Sequence, residues 1–322
     1  MVDYTIPKIS ILFKYHLVII PIHVITELDV IITLASYIYE INTKGILYYI
    51  KYEIQLIKYG FHHLKVDNLL IRYVDTLSKG KSVLLIHGLG GSIESWINNI
   101  DTLSTKQLRV IAVDLPGFGS SDKPQIDYTI NFYTKFIAKF INYMKVSTPL
   151  SIVGSSLGGH IAAEVAIHYY KIVCKLVLVS PAGVLPVSFR GTSALLKYTN
   201  ILKARTVQEV KRALSSVDNN SVDENYAKIV YQKLSMPGAK EAFLSALRGS
   251  AHSPRLNRRL HKIKADTLLI WGKEDRMIPV KFIKPFIKMK NCRLMLLENC
   301  GHRPHVDKPE FFNNVVADFI ND

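Results

Sequence analysis

The chain has 322 residues, 48 % of them hydrophobic and 21 % charged, and its 41 Lys and Arg exceed its 26 Asp and Glu by a formal net charge of +15. A chain of this size and composition is long enough for one large α/β domain with an insertion, or for two domains. The three cysteines, Cys174, Cys292 and Cys300, lack Cys-x-x-Cys spacing and so argue against a disulfide framework or a zinc site. Cys174 and Cys292 sit in apolar runs, so they are expected as buried thiols in a reducing, cytoplasmic compartment.

The charge is unevenly spread. Residues 1–60 carry five Lys or Arg and five Asp or Glu, whereas residues 183–264 carry fifteen and five, two thirds of the excess. Such a segment is either a solvated basic surface or one that attracts anionic substrates or lipid headgroups. No aromatic-interleaved basic stripe or nucleic-acid motif accompanies it, so a nucleic-acid partner is not expected.

In chain order, residues 1–60 read as an apolar helical extension. Ile9 to Ile41 is rich in Ile, Leu, Val and Tyr, but Pro21, His23, Glu27 and Asp29 interrupt it. That breaks the run of about 20 apolar residues a spanning helix needs, and no small-x-small cleavage site follows. Lys51, Gln55 and Lys58 recur at helical spacing, so Ile46–Tyr59 reads as an amphipathic helix. The extension either packs on the main domain or makes peripheral contact with a membrane.

From residue 61 the pattern changes to strands. Phe61–Val66 and Leu69–Val74 flank an Asp67-Asn68 hairpin turn. Val83–Ile86, Val110–Val113, Leu150–Val153, Leu176–Val179, Leu268–Trp271 and Leu294–Leu297 are short apolar runs of the kind buried parallel strands show. Helical patterns lie between them at Ile93–Leu103, Tyr128–Met144, Leu157–Tyr170, Pro279–Met289 and Pro309–Ile320. The alternation predicts an α/β fold, a mostly parallel eight-stranded sheet with helices on both faces. It stops between Gly183 and Lys264, where only helical patches occur. Residues 61–182 and 265–322 therefore read as the core, and 183–264 as a helical lid inserted into it.

Four segments at strand ends carry chemistry. Gly154-Ser155-Ser156-Leu157-Gly158 joins an apolar strand to a helix, the setting of a nucleophile elbow with Ser156 at its tip. His87-Gly88-Leu89-Gly90-Gly91-Ser92 lets backbone N–H groups approach a ligand, and the N–H groups of Leu89 and Leu157 are the expected oxyanion donors. His87 itself, beside glycines, reads as structural, and Asp114 and Asp122 as bonding their loop's backbone. Serine needs a base and histidine a carboxylate partner, and the order Ser156, Asp275, His302 supplies both. Glu274 competes with Asp275 as the acid, and His305 and His160 compete with His302 as the base. Gly88, Gly90, Ser155 and Arg190 are the candidate substrate contacts.

These segments resemble the α/β-hydrolases of the esterase, lipase and C–C hydrolase group. His87 to Ser92, Asp114-Leu115-Pro116-Gly117-Phe118-Gly119-Ser120-Ser121-Asp122, Gly154 to Gly159, Trp271-Gly272-Lys273-Glu274-Asp275-Arg276 and Cys300-Gly301-His302 match in order across residues 61–322. Leu178 to Gly183 and Leu296 to His302 are similar to membrane-associated monoacylglycerol lipases. The resemblance implies a Ser156–His302–Asp275 triad, an acyl-enzyme, an ester or acyl-lipid substrate, and neither metal nor organic cofactor. A C–C bond hydrolase of vinylogous diketo acids uses the same triad, with Arg190 or another lid cation on the substrate carboxylate. A receptor or scaffold on the same fold is the non-enzymatic alternative. Relatives with an aspartate nucleophile would place Asp where Ser156 stands.

Overall fold

The computed structural model describes residues 58–184, 193–216 and 222–322, together with two strands nearer the N-terminus. The chain divides into two compact units, residues 1–50 and 51–322. In the first, β1 (Lys8–Phe13) and β2 (His16–Pro21) pair antiparallel with Phe13 opposite His16. This corrects the helical reading of 1–60 over these strands. Ile9, Ile11, Val18, Ile19 and Ile20 are β-branched, stiff at χ1 and suited to a pleated strand. The amphipathic helix expected at 46–59 lies, up to residue 57, outside the described residues. Among the described residues no helix is long and apolar enough to cross a membrane.

The second unit is built on eight strands: β3 (His62–Val66), β4 (Leu69–Asp75), β5 (Lys81–Ile86), β6 (Leu108–Val113), β7 (Leu150–Ser155), β8 (Val173–Val179), β9 (Asp266–Gly272) and β10 (Cys292–Leu297). Their order is β10-β9-β8-β7-β5-β6-β4-β3. β4 runs antiparallel to both β3 and β6, and every other pair is parallel. The sheet is thus the mostly parallel, eight-stranded one expected. Asp67-Asn68 makes the hairpin turn, with Val66 opposite Leu69 and Asp67 at a φ of 52°, a left-handed conformation that aspartate tolerates better than most residues.

Helices α1 (Ile97–Thr105), α2 (Ile130–Tyr143) and α3 (Leu157–His168) follow β5, β6 and β7. Four more, α4 (Ser193–Lys203), α5 (Val207–Ser215), α6 (Glu224–Leu234) and α7 (Ala239–His252), fill the connection from β8 to β9. The chain closes with α8 (Pro304–Asp307) and α9 (Pro309–Asn321). Two apolar cores divide the side chains of the central strands. Leu84 and Ile86 of β5 enter one with α2 and α3, while Val83 and Leu85 enter the other with α1 and α9. Burial on both faces is why the strands read as unbroken apolar runs.

Two expectations fail locally. Pro279–Met289 is not a helix but two 3-10 turns, Val280–Ile283 and Phe286–Lys288, because Pro285 between them has no N–H to donate. Cys174 is exposed, being the second residue of β8, where the strand emerges from the core; Cys292 is only partly buried, and burial pushes its thiol up to about 11.

Candidate active site

Each chemical segment leaves the carboxyl end of a strand, the edge at which open α/β sheets place their sites. β7 runs into Ser156, which sits at φ 54° and ψ −113° immediately before α3. This backbone strain is held from both sides. Ser156 N–H donates to the Val179 carbonyl at 2.9 Å, and the Ser156 carbonyl accepts from Ala182 N–H at 2.9 Å. The flanking glycines are required by close approach. A Cβ on Gly154 would strike the backbone of Gly158 and Gly159, and one on Gly158 the backbone of Ile86 and His87. The hydroxyl-bearing turn is therefore pressed directly against the end of β5.

β9 ends at Gly272 and β10 at Leu297, and their following loops carry Asp275 and His302. Ser156 Oγ lies 3.0 Å from His302 Nε2, and His302 Nδ1 lies 2.8 Å from Asp275 Oδ2. All three residues are buried. The other Asp275 oxygen, Oδ1, accepts the Met277 and Ile278 N–H groups at 2.8 Å each, which fixes the carboxylate plane. With Asp275 as acceptor, Nδ1 is the protonated nitrogen and Nε2 faces Ser156 as the acceptor.

The competing residues stand elsewhere. Glu274 accepts the Cys300 N–H at 2.8 Å, and that bond holds its carboxyl below the usual range. The His160 ring reaches Ser250 Oγ at 3.5 Å and Glu164 at 3.9 Å. His305 lies against Trp96, tilted by 34° with ring centroids 4.2 Å apart, and burial, then the Arg303 and His302 charges, push its pKa well down. His87 is structural as expected: its Nδ1 donates to the Gly88 carbonyl at 2.7 Å, its Nε2 accepts from Leu115 N–H at 3.0 Å, and burial keeps it neutral.

The loop 114–122 is anchored by more than its backbone. Asp122 accepts the Leu70 N–H at 2.7 Å, and Asp114 accepts those of Ile93 and Ser120 at 2.8 and 2.7 Å. Asp114 also takes the Arg72 Nε–H at 2.6 Å, while Arg72 Nη2 donates to both oxygens of Glu94. Burial alone would raise the Asp114 carboxyl, but the Arg72 charge and hydrogen bond outweigh it and hold it low. The pairing was not legible in the sequence, which places Arg72 on a strand with no sign of what it faces.

Gly88, Leu89, Gly90, Ser155, Ser156 and His302 line a cavity of about 80 Å³. Its other wall comes from the helices between β8 and β9: Tyr198, Ile201, Leu214, Tyr226, Val230 and Phe243. Met277, Arg303 and His305 line it too, and the Arg303 guanidinium lies 4.6 Å from the Tyr226 ring centroid. Gly88, Gly90 and Ser155 are thus at the cavity, Leu157 is buried at the first position of α3, and Arg190 lies outside the described residues. The sequence reading expected a helical lid over 183–264 but not which of its side chains face the cavity, and it missed Arg303. The wall has no motif, but adjacency to His302 marked Arg303.

The family model described as "Alpha/beta hydrolase family" matches residues 83–315. The chain is 29 % identical over 260 residues to a 2-hydroxy-6-oxo-6-(2'-aminophenyl)hexa-2,4-dienoic acid hydrolase of Metapseudomonas resinovorans, covering 78 % of this chain and 87 % of that one. It is 27 % identical over 268 residues to the monoacylglycerol lipase ABHD6 of Bos taurus, covering 74 % and 75 %. Among solved structures, a membrane phospholipase A described as a bacterial virulence factor superposes with a TM-score of 0.72 at 27 % identity, over 92 % of this chain and 97 % of that one. A sheet of this order, the chemistry-bearing loops at its carboxyl edge and a family match across most of the chain agree, and the protein belongs to the alpha/beta hydrolase family and is a hydrolase.

Proposed function

We propose that the protein is a serine hydrolase of carboxylic esters. Ser156 Oγ attacks the ester carbonyl as His302 Nε2 takes its proton, and Asp275 holds the imidazole and stabilises the imidazolium. The carbonyl oxygen becomes an oxyanion facing the Leu89 and Leu157 N–H groups; one such donor is worth about 3 kcal/mol in the transition state. Leu157, first in its helix, has no intrahelical acceptor for that N–H. His302 returns the proton to the leaving alcohol. Water then attacks the acyl-enzyme, His302 takes its proton, and the acid departs as Ser156 is reprotonated.

The observation that carries this reading is the continuous Ser156–His302–Asp275 hydrogen-bonded chain, with spacings of 3.0 and 2.8 Å, opening into a cavity. The walls supplied by Ile201, Leu214, Val230, Phe243 and Met277 suit an acyl chain. Residues 183–264 then act as the lid that sets acyl length. Relatives named for monoacylglycerol and phospholipid cleavage support an acyl-lipid substrate.

One observation favours a second reading. Arg303 brings a cation to the same cavity, where the carboxylate of a vinylogous diketo acid could sit, and one relative is named for hydrolysis of such a compound. Turnover of p-nitrophenyl esters from acetate to palmitate and of monoacylglycerols, beside a vinylogous diketo acid, separates the two. Ester turnover is expected to dominate, and Ser156→Ala to reduce it by about 10⁴-fold or more. Preference for the diketo acid transfers the assignment to C–C bond cleavage.

A further inference from the structure

Two stretches of the chain carry basic residues and no acid. Between Glu241 and Asp266 there are six Lys or Arg, and between Asp275 and Glu298 another six. The fold brings parts of these stretches together at a second cavity, which shares no lining residue with the one at Ser156. The 3-10 turns at Leu256–Arg258 and Leu260–Lys262 meet the segment Lys284–Met289, which holds the turn Phe286–Lys288, around that cavity, of about 340 Å³. His261, Lys284 and Lys288 line it. Arg258, Lys262, Lys264 and Lys290, adjoining in sequence, are exposed as well. Arg259 and Arg293 are spent on ion pairs with Glu164 and Asp322. Among the described residues no salt bridge joins Arg258, Lys262, Lys284, Lys288 or Lys290 to a carboxylate. Ile287, next to Lys288 and three residues after Lys284 in the chain, is 51 % exposed.

We infer that this face docks the protein on an anionic lipid surface. Charge complementarity requires an anionic partner, and three features select a bilayer among such partners. The exposed cations are mostly lysines, which act as point charges on phosphates and lack the flat fork that reads nucleobases. An exposed branched aliphatic among them has use at a headgroup–acyl boundary and none on a phosphodiester backbone. The choice of lipid also rests on the acyl-lipid reading of the active site, since an enzyme bound at the bilayer meets its substrate there. The docking face works through charge, so it depends on lipid composition and on salt within a Debye length of about 8–10 Å.

The test uses the full chain and sedimentation with two kinds of vesicle, phosphatidylcholine alone and phosphatidylcholine with about one third phosphatidylserine, a content that makes juxtaposed lysines count several-fold each. Binding to the anionic vesicles is expected to be at least tenfold tighter, and to fall toward the neutral value as salt rises. The double charge reversal Lys284→Glu/Lys288→Glu should remove most of that preference, with an unchanged thermal midpoint. The reversal Lys65→Glu/Lys135→Glu, equal in charge but on other exposed sites, should retain it. Equal affinity for both vesicles, equal loss in both double variants, or retention on duplex DNA without any vesicle preference overturns the inference. Turnover of a soluble p-nitrophenyl ester, assayed in parallel, reports on the ester-hydrolase reading alone. The two can therefore fail separately.

Discussion

Ser156 occupies a conformation that costs of order 1–3 kcal/mol for a residue with a side chain, and two backbone hydrogen bonds over-determine it. The same rigidity extends to Asp275, whose two oxygens are divided between His302 and the Met277–Ile278 amides. Asp275→Asn keeps the amide contacts through its carbonyl but turns an NH₂ toward His302. The imidazole must then place its proton on Nε2, facing Ser156, and lose its function as base. Ester kcat is expected to fall by about 10⁴-fold with the fold intact. Glu274→Gln should change it by no more than a few-fold, and the reverse pattern in steady-state assays would move the acid to Glu274. At this scale the sequence presented Glu274 and Asp275 as neighbours of equal chemistry. What separates them is direction: consecutive side chains leaving a strand end diverge, one toward Cys300 N–H and one toward the His302 ring.

Elements whose burial shows as periodicity were legible. The central strands and α3 are apolar because they are covered on both faces or all round. The segment at 279–289 was misread because its apolar spacing is helical while Pro285 forbids the continuous ladder. The Arg72–Asp114–Glu94 cluster joins β4, the loop after β6 and the turn before α1, and 42 residues separate Arg72 from Asp114. No local pattern reports such a pairing. Removing its cation leaves two carboxylates in a largely buried site, so Arg72→Met should destabilise the domain by about 3–5 kcal/mol. Denaturant titration measures it; a loss below about 1 kcal/mol would show that the carboxylates are relieved by solvent or by Lys233, whose Nζ lies 3.8 Å from Glu94.

Across the whole molecule, burial of neutral histidines contributes to the response to acid. His87 and His305 both titrate below their ordinary value because burial disfavours the charged ring. The unfolded chain takes up these protons first, near the unperturbed value of about 6.5. The stability they contribute is therefore complete above that pH and is lost as pH falls toward their folded values. Each contributes a slope of up to about 1.4 kcal/mol per pH unit between those two values. Thermal midpoints should decline below roughly pH 6.5. His305→Phe, which keeps a ring against Trp96, should make that decline shallower, and an identical pH profile in the variant would assign the acid sensitivity elsewhere.

By itself the sequence determined the sheet, the elbow at Ser156, and Asp275 and His302 as partner candidates, since each depends on residues close together in the chain: alternating runs, glycines flanking a serine, loops directly after strands. It carried no such information on which side chains of the lid helices wall the cavity, on Arg72 and its carboxylates, or on the basic face around Lys284. Those arise where helices and turns distant in sequence meet. Helix packing, unlike a strand-end motif, is chosen by the summed fit of many side chains, and only the tertiary structure decides it.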